Sequence, residues 1–214
     1  MSNAIPLFPL QLVVFPGERL PLHIFEERYK QLVTDCDEEK INFGIPTYID
    51  GKMEYGTEIK LGQIVKRYEN GSLDIVCMAL RVFKIDKFYN RLPDKLYSGG
   101  EVSFINNVDD STEAQRKEVI QLIYRLYKNI GVAVKYIDEE SFSSFLYAHK
   151  IGMSIKDEYK LLQIMSERER LAYIKKHIKK VIPILKQINK TREIIQMNGH
   201  FKNLDPLDFN NYIL

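Results

Sequence analysis

Apolar and polar positions along this chain change period once, near residue 108. Before it, short apolar runs alternate with tight-turn dipeptides. After it, apolar residues recur at three- and four-residue intervals. The opening run Ile5–Val33 carries Pro6, Pro9, Pro16, Pro21 and Gly17 among apolar residues. Proline fixes φ and removes a backbone donor, so this run predicts a broken edge strand, a turn at Phe15-Pro16-Gly17, a second short strand and then a helix. The expected helix face is Ile24, Phe25, Leu32, Val33 and Cys36, with Glu26, Glu27, Arg28 and Lys30 opposite. Ile41–Ile49 leads into Asp50-Gly51, and Thr57–Tyr68 leads through Asn70-Gly71 into Leu73–Ile85. Both dipeptides are hairpin signals, since a type I′ turn needs positive φ at its two central residues. Apolar residues fall on both parities of Leu73–Ile85, which predicts a strand covered on both faces. Glu101–Val108 reads as a last strand. The expected architecture is α+β, a small mixed β-barrel followed by an α-helical bundle.

In the second half, three start signals have capping-box spacing: Thr112 with Gln115, Ser154 with Asp157, and Ser166 with Glu169. Val119, Ile123, Leu126 and Ile130 mark one helix face. Phe142, Phe145, Leu146 and His149 mark a short helix closed by Gly152, and Leu161, Leu162, Ile164 and Met165 a third. A long stripe runs Leu171, Ile174, Ile178, Val181, Leu185, Ile188, with a kink expected at Pro183. The polar stretch Asn106–Glu113 divides the halves, giving a β-rich unit 1–108, a helical unit 109–198 and an apolar tail 199–214.

Composition narrows the role. The 214 residues are 45% hydrophobic and 28% charged, with net charge +2, so no whole-chain field calls for nucleic acid or a membrane. Two cysteines make no disulfide framework, no signal peptide precedes the fold, and a reduced cytoplasmic setting is expected. No apolar segment is long enough to span a bilayer. His23, His149, His177 and His200 form no metal-ligand spacing, so neither a metal nor a cofactor is expected. His149 reads as a core histidine with a satisfied ring. Cys36 and Cys77 read as buried structural thiols. From Lys150 to Arg192 there are twelve Lys/Arg against four Asp/Glu. That excess reads first as the solvated face of a helix, because aromatic residues for base stacking are sparse there.

Beyond residue-level patterns, Pro6–Pro9, Phe15–Gly17, Leu20–Leu22, Phe25-Glu26 and Arg28-Tyr29 together resemble the opening of the substrate-binding domain of Lon proteases. Gly56-Thr57, Asn70-Gly71 and Leu80–Ile85 are similar to its later barrel segments. Tyr159–Leu162 and Glu167–Leu171 look like its closing helices. Glu27 stands where proline is expected in that family. The resemblance covers about residues 5–185 and implies a PUA-like barrel followed by a helical bundle, and recognition of protein substrates. No G-x-x-x-x-G-K-[ST] phosphate loop occurs, and no length remains for an ATPase or a Ser–Lys peptidase. The expected role is therefore a non-enzymatic, stand-alone protein- or peptide-binding module, with polypeptides or a protease or chaperone as partners. The alternatives are an RNA-binding accessory protein using the barrel and the basic helix, or a structural interaction subunit.

Two surfaces are candidates for contact. A recogniser of unfolded chains needs accessible apolar groups. Tyr48, Met53 and Tyr55 around the first hairpin, with Phe88, Tyr89, Leu92 and Tyr97 before the last strand, are the expected substrate-binding residues. Phe201, Leu204, Leu207 and Phe209 in the tail are the expected partner-docking residues, unless the tail folds back on the domain.

Overall fold

The computed structural model of the chain describes residues 4–201, with side chains as far as Gln196. Six strands come first: β1 Ala4–Leu7, β2 Arg19–Ile24, β3 Phe43–Pro46, β4 Tyr55–Arg67, β5 Leu73–Tyr89 and β6 Ser98–Phe104, with helix α1 (Glu27–Glu39) between β2 and β3. The helices α2 (Glu113–Ile130), α3 (Ile155–Leu162) and α4 (Glu167–Phe201) follow, and a 3₁₀ segment Ser144–Lys150 precedes α3.

The strand order is β2-β5-β4-β3-β1-β6, and β5 also pairs with β6. That last pairing closes β5-β4-β3-β1-β6 into a ring, so five strands form a barrel and β2 is appended to its outside. The 17-residue β5 makes this feasible. Its first half pairs with β2, from Ile24↔Leu73 to Arg19↔Met78, and its second half pairs with β6, from Phe83↔Phe104 to Tyr89↔Gly99.

Three local expectations change. β1 is internal to the ring, not an edge: it pairs antiparallel with β6 and parallel with β3, but the β3 contact begins only at Leu7↔Gly44, so Pro6 has little ladder to interrupt there. The edge strand is β2, which carries Pro21. Ile24 closes β2, and Phe25 is exposed; helix α1 buries Tyr29, Leu32, Val33 and Cys36 instead. β5 is covered on one face in its first half, where Leu73, Ile75, Cys77 and Ala79 are buried while Met78 and Leu80 are exposed.

The turns follow the dipeptides. Asp50 (φ 50°) and Gly51 (φ 78°) form a two-residue turn closed by reciprocal Ile49–Lys52 backbone bonds. Asn70-Gly71 works differently: Gly71 alone has positive φ, its N–H donates to Tyr68 O, and Tyr68 N–H donates to Ser72 O. That is a turn followed by a glycine bulge rather than type I′.

In the helical half Thr112 forms the full capping box with Gln115. Ser154 accepts from Asp157 N–H and donates back to the Asp157 carboxylate. Ser166 accepts from Glu169 N–H, but its own hydroxyl donates to Asp110. The segment after Phe142 is 3₁₀, not α. α4 runs through Pro183 and on to Phe201, past the expected tail boundary at 199. Leu204, Leu207 and Phe209 lie outside the described residues, and Phe201 is described in its backbone alone.

Two apolar cores result. One lies inside the barrel around Phe43, Ile45, Ile59 and Tyr97, under α1. The other lies among the helices around Ile123, Leu126, Ile174 and Ile178, and it includes Val13, Phe15 and Val82 from the β-rich half. The halves thus share packing across the expected division at residue 108.

Candidate functional site

Among the described residues, one open cleft lies where β2 and β6 leave β5. Between Ala79 and Val82, which face Ile59 and Thr57 of β4, the register shifts. Leu80 and Arg81 together oppose the single residue Glu58, which makes a β-bulge. On the other side of β5, β2 has ended at Met78 and β6 has not begun until Phe83. A cleft of about 620 Å³ opens at this gap, lined on the barrel side by Pro16, Gly17, Leu80 and Arg81 and on the helical side by Phe142, Ser143 and Phe145.

Each wall is fixed by local sequence. Phe15-Pro16-Gly17-Glu18 is a type II turn: Pro16 presets φ, Gly17 takes φ 89°, and Glu18 N–H donates to Phe15 O. Gly17 N–H then donates to Ala79 O, and Ala79 N–H to Glu18 O, which docks the turn on β5. At the other end Ile105 N–H donates to Val82 O, leading Asn106 and Asn107 along the rim. Val108 N–H donates to Met165 O and Glu167 N–H to Val108 O, so the connection is laced to the start of α4.

The cleft floor is a buried polar cluster. Arg170 and Glu167, each with 4% of the side chain exposed, pair at 2.8 Å. Arg170 also donates to Ser144 Oγ, Asn107 Oδ1 and the carbonyls of Ile164 and Met165, and its guanidinium lies 4.3 Å from the Phe145 ring centroid. Glu167 accepts from Ser144 N–H and Oγ, each at 2.7 Å. On the rim Arg81 is more exposed; it pairs with the buried Glu58 at 2.5 Å and stacks 3.6 Å over Phe104. The result is a trough of mixed lining, with exposed Leu80 and the nearly buried rings of Phe142 and Phe145 beside the amides of Asn106 and Asn107, the Arg81 guanidinium and the Asp109 carboxylate.

Behind the wall, His149 bridges the halves. Its Nε2 lies 3.2 Å from Glu18 and its Nδ1 2.8 Å from Glu158 of α3, while its ring packs 4.9 Å from Phe15. Hydrogen bonding to Glu18 outweighs burial and, with Glu158, pushes the imidazole pKa up to about 9. The expectation of a core histidine is corrected: the side chain is 39% exposed and sits in a charged bridge, because two carboxylates converge on it from opposite elements.

The residues expected to bind substrate do not form one surface. Tyr48 is exposed, while Met53 and Tyr55 are half-buried. Their loop is held against α3 by Lys156–Asp50 and by Tyr55 N–H donating to Tyr159 Oη. Phe88, Tyr89 and Leu92 are half-buried at the β5–β6 end, where Tyr89 Oη donates to Glu101. Tyr97 is a correction: it is 1% exposed in the barrel core, its hydroxyl donates to Asp35 of α1, and burial drives its phenol pKa upward, so it offers no contact surface. The residues that line the cleft were missed. The signal was the doubled apolar parity at Leu80, which marks an exposed apolar residue at a bulge rather than a strand covered twice.

On α4, Lys175 and Lys179 both reach Glu118, which neutralises part of the basic face; Lys176 and Lys180 stand beside them. Burial pushes the Cys36 and Cys77 thiols up to about 12, so neither is a ready nucleophile. Among the described residues no group of three or more His, Cys, Asp or Glu is arranged to hold a metal ion, and no helix is long and apolar enough to cross a membrane.

Fold and site together define a module built around a groove. Residues 4–180 match the model of the ATP-dependent protease La (LON) substrate-binding domain, and the chain belongs to that family. The curated relatives include the Lon protease of Cytophaga hutchinsonii, 21% identical over 86% of this chain and 25% of that protein, and the Lon protease of Flavobacterium johnsoniae, 22% identical over 78% and 23%. The chain thus spans about a quarter of the length of these relatives. Among solved structures, the Lon N-terminal domain protein from Xanthomonas campestris aligns with TM-score 0.62 and 28% identity, covering 79% of this chain and 95% of that one. The N-terminal domain of Mycobacterium avium complex Lon protease aligns with TM-score 0.62 at 15% identity, over 83% and 98%, a likeness of fold alone.

Proposed function

We propose that this chain is a non-catalytic recogniser of polypeptide substrates, acting beside a protease or chaperone, and that it holds extended segments in the cleft at the Leu80–Arg81 bulge. The family match supports a substrate-binding role, and the relatives it matches are proteases by name. The observation that carries the reading is the lining of the cleft. An unfolded segment presents apolar side chains and backbone groups without partners. Exposed Leu80, backed by the edges of the buried Phe142 and Phe145, suits the former, and the donors of Asn106, Asn107 and Arg81 suit the carbonyls of the latter. Tyr48, Met53, Tyr55, Phe88, Tyr89 and Leu92 are assigned a lesser, outlying contact with longer segments.

The test is a fluorescence-anisotropy titration with a permanently unfolded, labelled model protein. Leu80→Asp places a charge in the trough without touching either core, and weakens binding by about tenfold or more, some 1.4 kcal/mol. Tyr48→Ala changes it by less than about threefold, as for most peripheral contacts. Unchanged affinity in Leu80→Asp, with Tyr48→Ala showing the loss, places the contact at the hairpin and refutes the cleft.

A further inference from the structure

β3 is far shorter than the strand it pairs with. Its register on β4 runs from Pro46↔Gly56 to Phe43↔Ile59 and stops there, while β4 continues to Arg67. Just before Phe43 the chain leaves the sheet: the Asn42 side chain donates to Glu58 Oε1 at 3.0 Å, and Lys40 closes α1 in the left-handed region. Lys60–Arg67 therefore pairs with β5 on one side only. Among the described residues, no backbone hydrogen bond from β3 or α1 reaches Lys60–Lys66. A groove of about 350 Å³ lies along this edge, between β4 and the end of α1. Consecutive β4 residues from Lys60 to Ile64 line it. A groove on a sheet face meets alternate residues, so this one follows the edge of the strand. Inside it Ile41, Leu61 and Ile64 are half-buried against the barrel core. Its rim carries Lys40, Lys60 and Arg67 beside one carboxylate, Asp37. Asp37 already meets Lys40 at 3.1 Å and Arg67 at 3.9 Å, and Lys60 has no acidic partner among the described residues.

We propose that this edge takes up an extended, acidic polypeptide segment as an added antiparallel strand, in the line that β3 vacates. The backbone favours it. β4 has no proline between Lys60 and Arg67, so every donor is present, whereas the other edge at this end of the sheet, β2, carries Pro21. Bulges between Leu61 and Gln63 and between Ile64 and Lys66 bend β4, so the added strand is short. Charge selects the partner. A second copy meeting edge to edge would set Lys60, Lys66 and Arg67 against their own kind, which is how charged edges avoid self-pairing. Acidic side chains at alternate positions of an incoming strand meet these cations instead, and apolar ones between them extend the face of Leu61 and Ile64. The groove shares no lining residue with the cleft at Leu80–Arg81 and stands whether or not the cleft binds polypeptide.

The test is a fluorescence-anisotropy titration of the full chain with a short labelled peptide of alternating glutamate and valine. Saturable binding is expected, weakened about tenfold or more in Lys60→Glu and unchanged in Leu80→Asp. The same peptide with every amide N-methylated keeps its charge but has no donors for a strand, and it binds at least about tenfold more weakly. Equal binding of the methylated peptide overturns strand addition in favour of simple ion attraction. Equal binding of a lysine–valine peptide overturns the acidic preference. Loss in Leu80→Asp with none in Lys60→Glu puts the peptide in the cleft and overturns the site, as does the absence of binding at millimolar peptide.

Discussion

Replacing Arg170 with methionine removes the charge that holds the cleft floor while keeping much of the side chain's volume. In the native protein the Glu167 carboxylate is balanced by Arg170 at 2.8 Å and accepts from Ser144 N–H and Oγ. In Arg170→Met the two Ser144 donors remain, but a carboxylate with 4% of its side chain exposed has lost its counter-charge. Breaking a buried pair from one side costs about 3–5 kcal/mol. The acceptors Asn107 Oδ1, Ile164 O and Met165 O lose their shared donor as well, which puts the cost toward the upper end. Adding Glu167→Gln to Arg170→Met neutralises the stranded charge and recovers about 2 kcal/mol. The assay is urea unfolding followed by circular dichroism and by tyrosine fluorescence, since the chain has 13 tyrosines and no tryptophan. A loss below about 1 kcal/mol in Arg170→Met, or a double variant less stable than the single one, refutes the reasoning that the pair is an obligate, mutually compensated charge cluster.

His149 gives a pH dependence of definite sign. Its pKa is raised from 6.5 to about 9 in the fold, so its stabilisation is fully present below pH 6.5 and is lost as pH rises through about 9. The Tm difference between the native chain and His149→Gln is therefore largest near pH 6 and closes by about pH 10; a gap that stays constant contradicts the bridge. At Gly56 an added Cβ would sit 2.5 Å from both Ile45 O and Pro46 Cα, backbone atoms that cannot step aside. Gly56→Ala thus lowers stability by about 1–3 kcal/mol or more in urea titration, and a loss under about 0.5 kcal/mol would show the strand pair to be looser than described. Thr112→Ala removes the capping box of α2 and costs about 1 kcal/mol, while Thr112→Ser is near neutral by the same measurement.

Periodicity carried most of the architecture because each element's apolar spacing answers to one local geometry. The stripe Leu171, Ile174, Ile178 is buried as its spacing requires, and Thr112-x-x-Gln115 caps as its chemistry requires. The 3₁₀ turn at Ser144–Lys150 was harder to read, because Phe145 and Ala148 are buried at a spacing that α and 3₁₀ helices share. Barrel closure rests on long-range pairing of β5 with two different strands, and no local signal encodes that choice of partners. The start of β6 at Ser98 was hidden for another reason. The expected strand began only at Glu101, yet a Cβ at Gly99 would press on the Leu92 side chain at 2.6 Å, so glycine there leaves room for Leu92 to pack over the strand. The cleft was illegible because its lining comes from five separated stretches, and because exposed Leu80 and buried Val82 look alike in an apolar run. His149 misled similarly: a histidine on an apolar helix face resembles a core residue until Glu18, far away in the chain, is brought to its ring.

The central claim is that polypeptide enters the cleft at the β5 bulge. It is tested most directly by amide chemical-shift mapping on isotope-labelled protein as an extended peptide with aliphatic and aromatic side chains is added. The account predicts that saturable shifts concentrate at Gly17, Leu80, Arg81, Ile105–Asn107 and Ser143–Phe145. Saturable shifts confined to Tyr48–Tyr55 or Phe88–Leu92, or none at all at millimolar peptide, would contradict it.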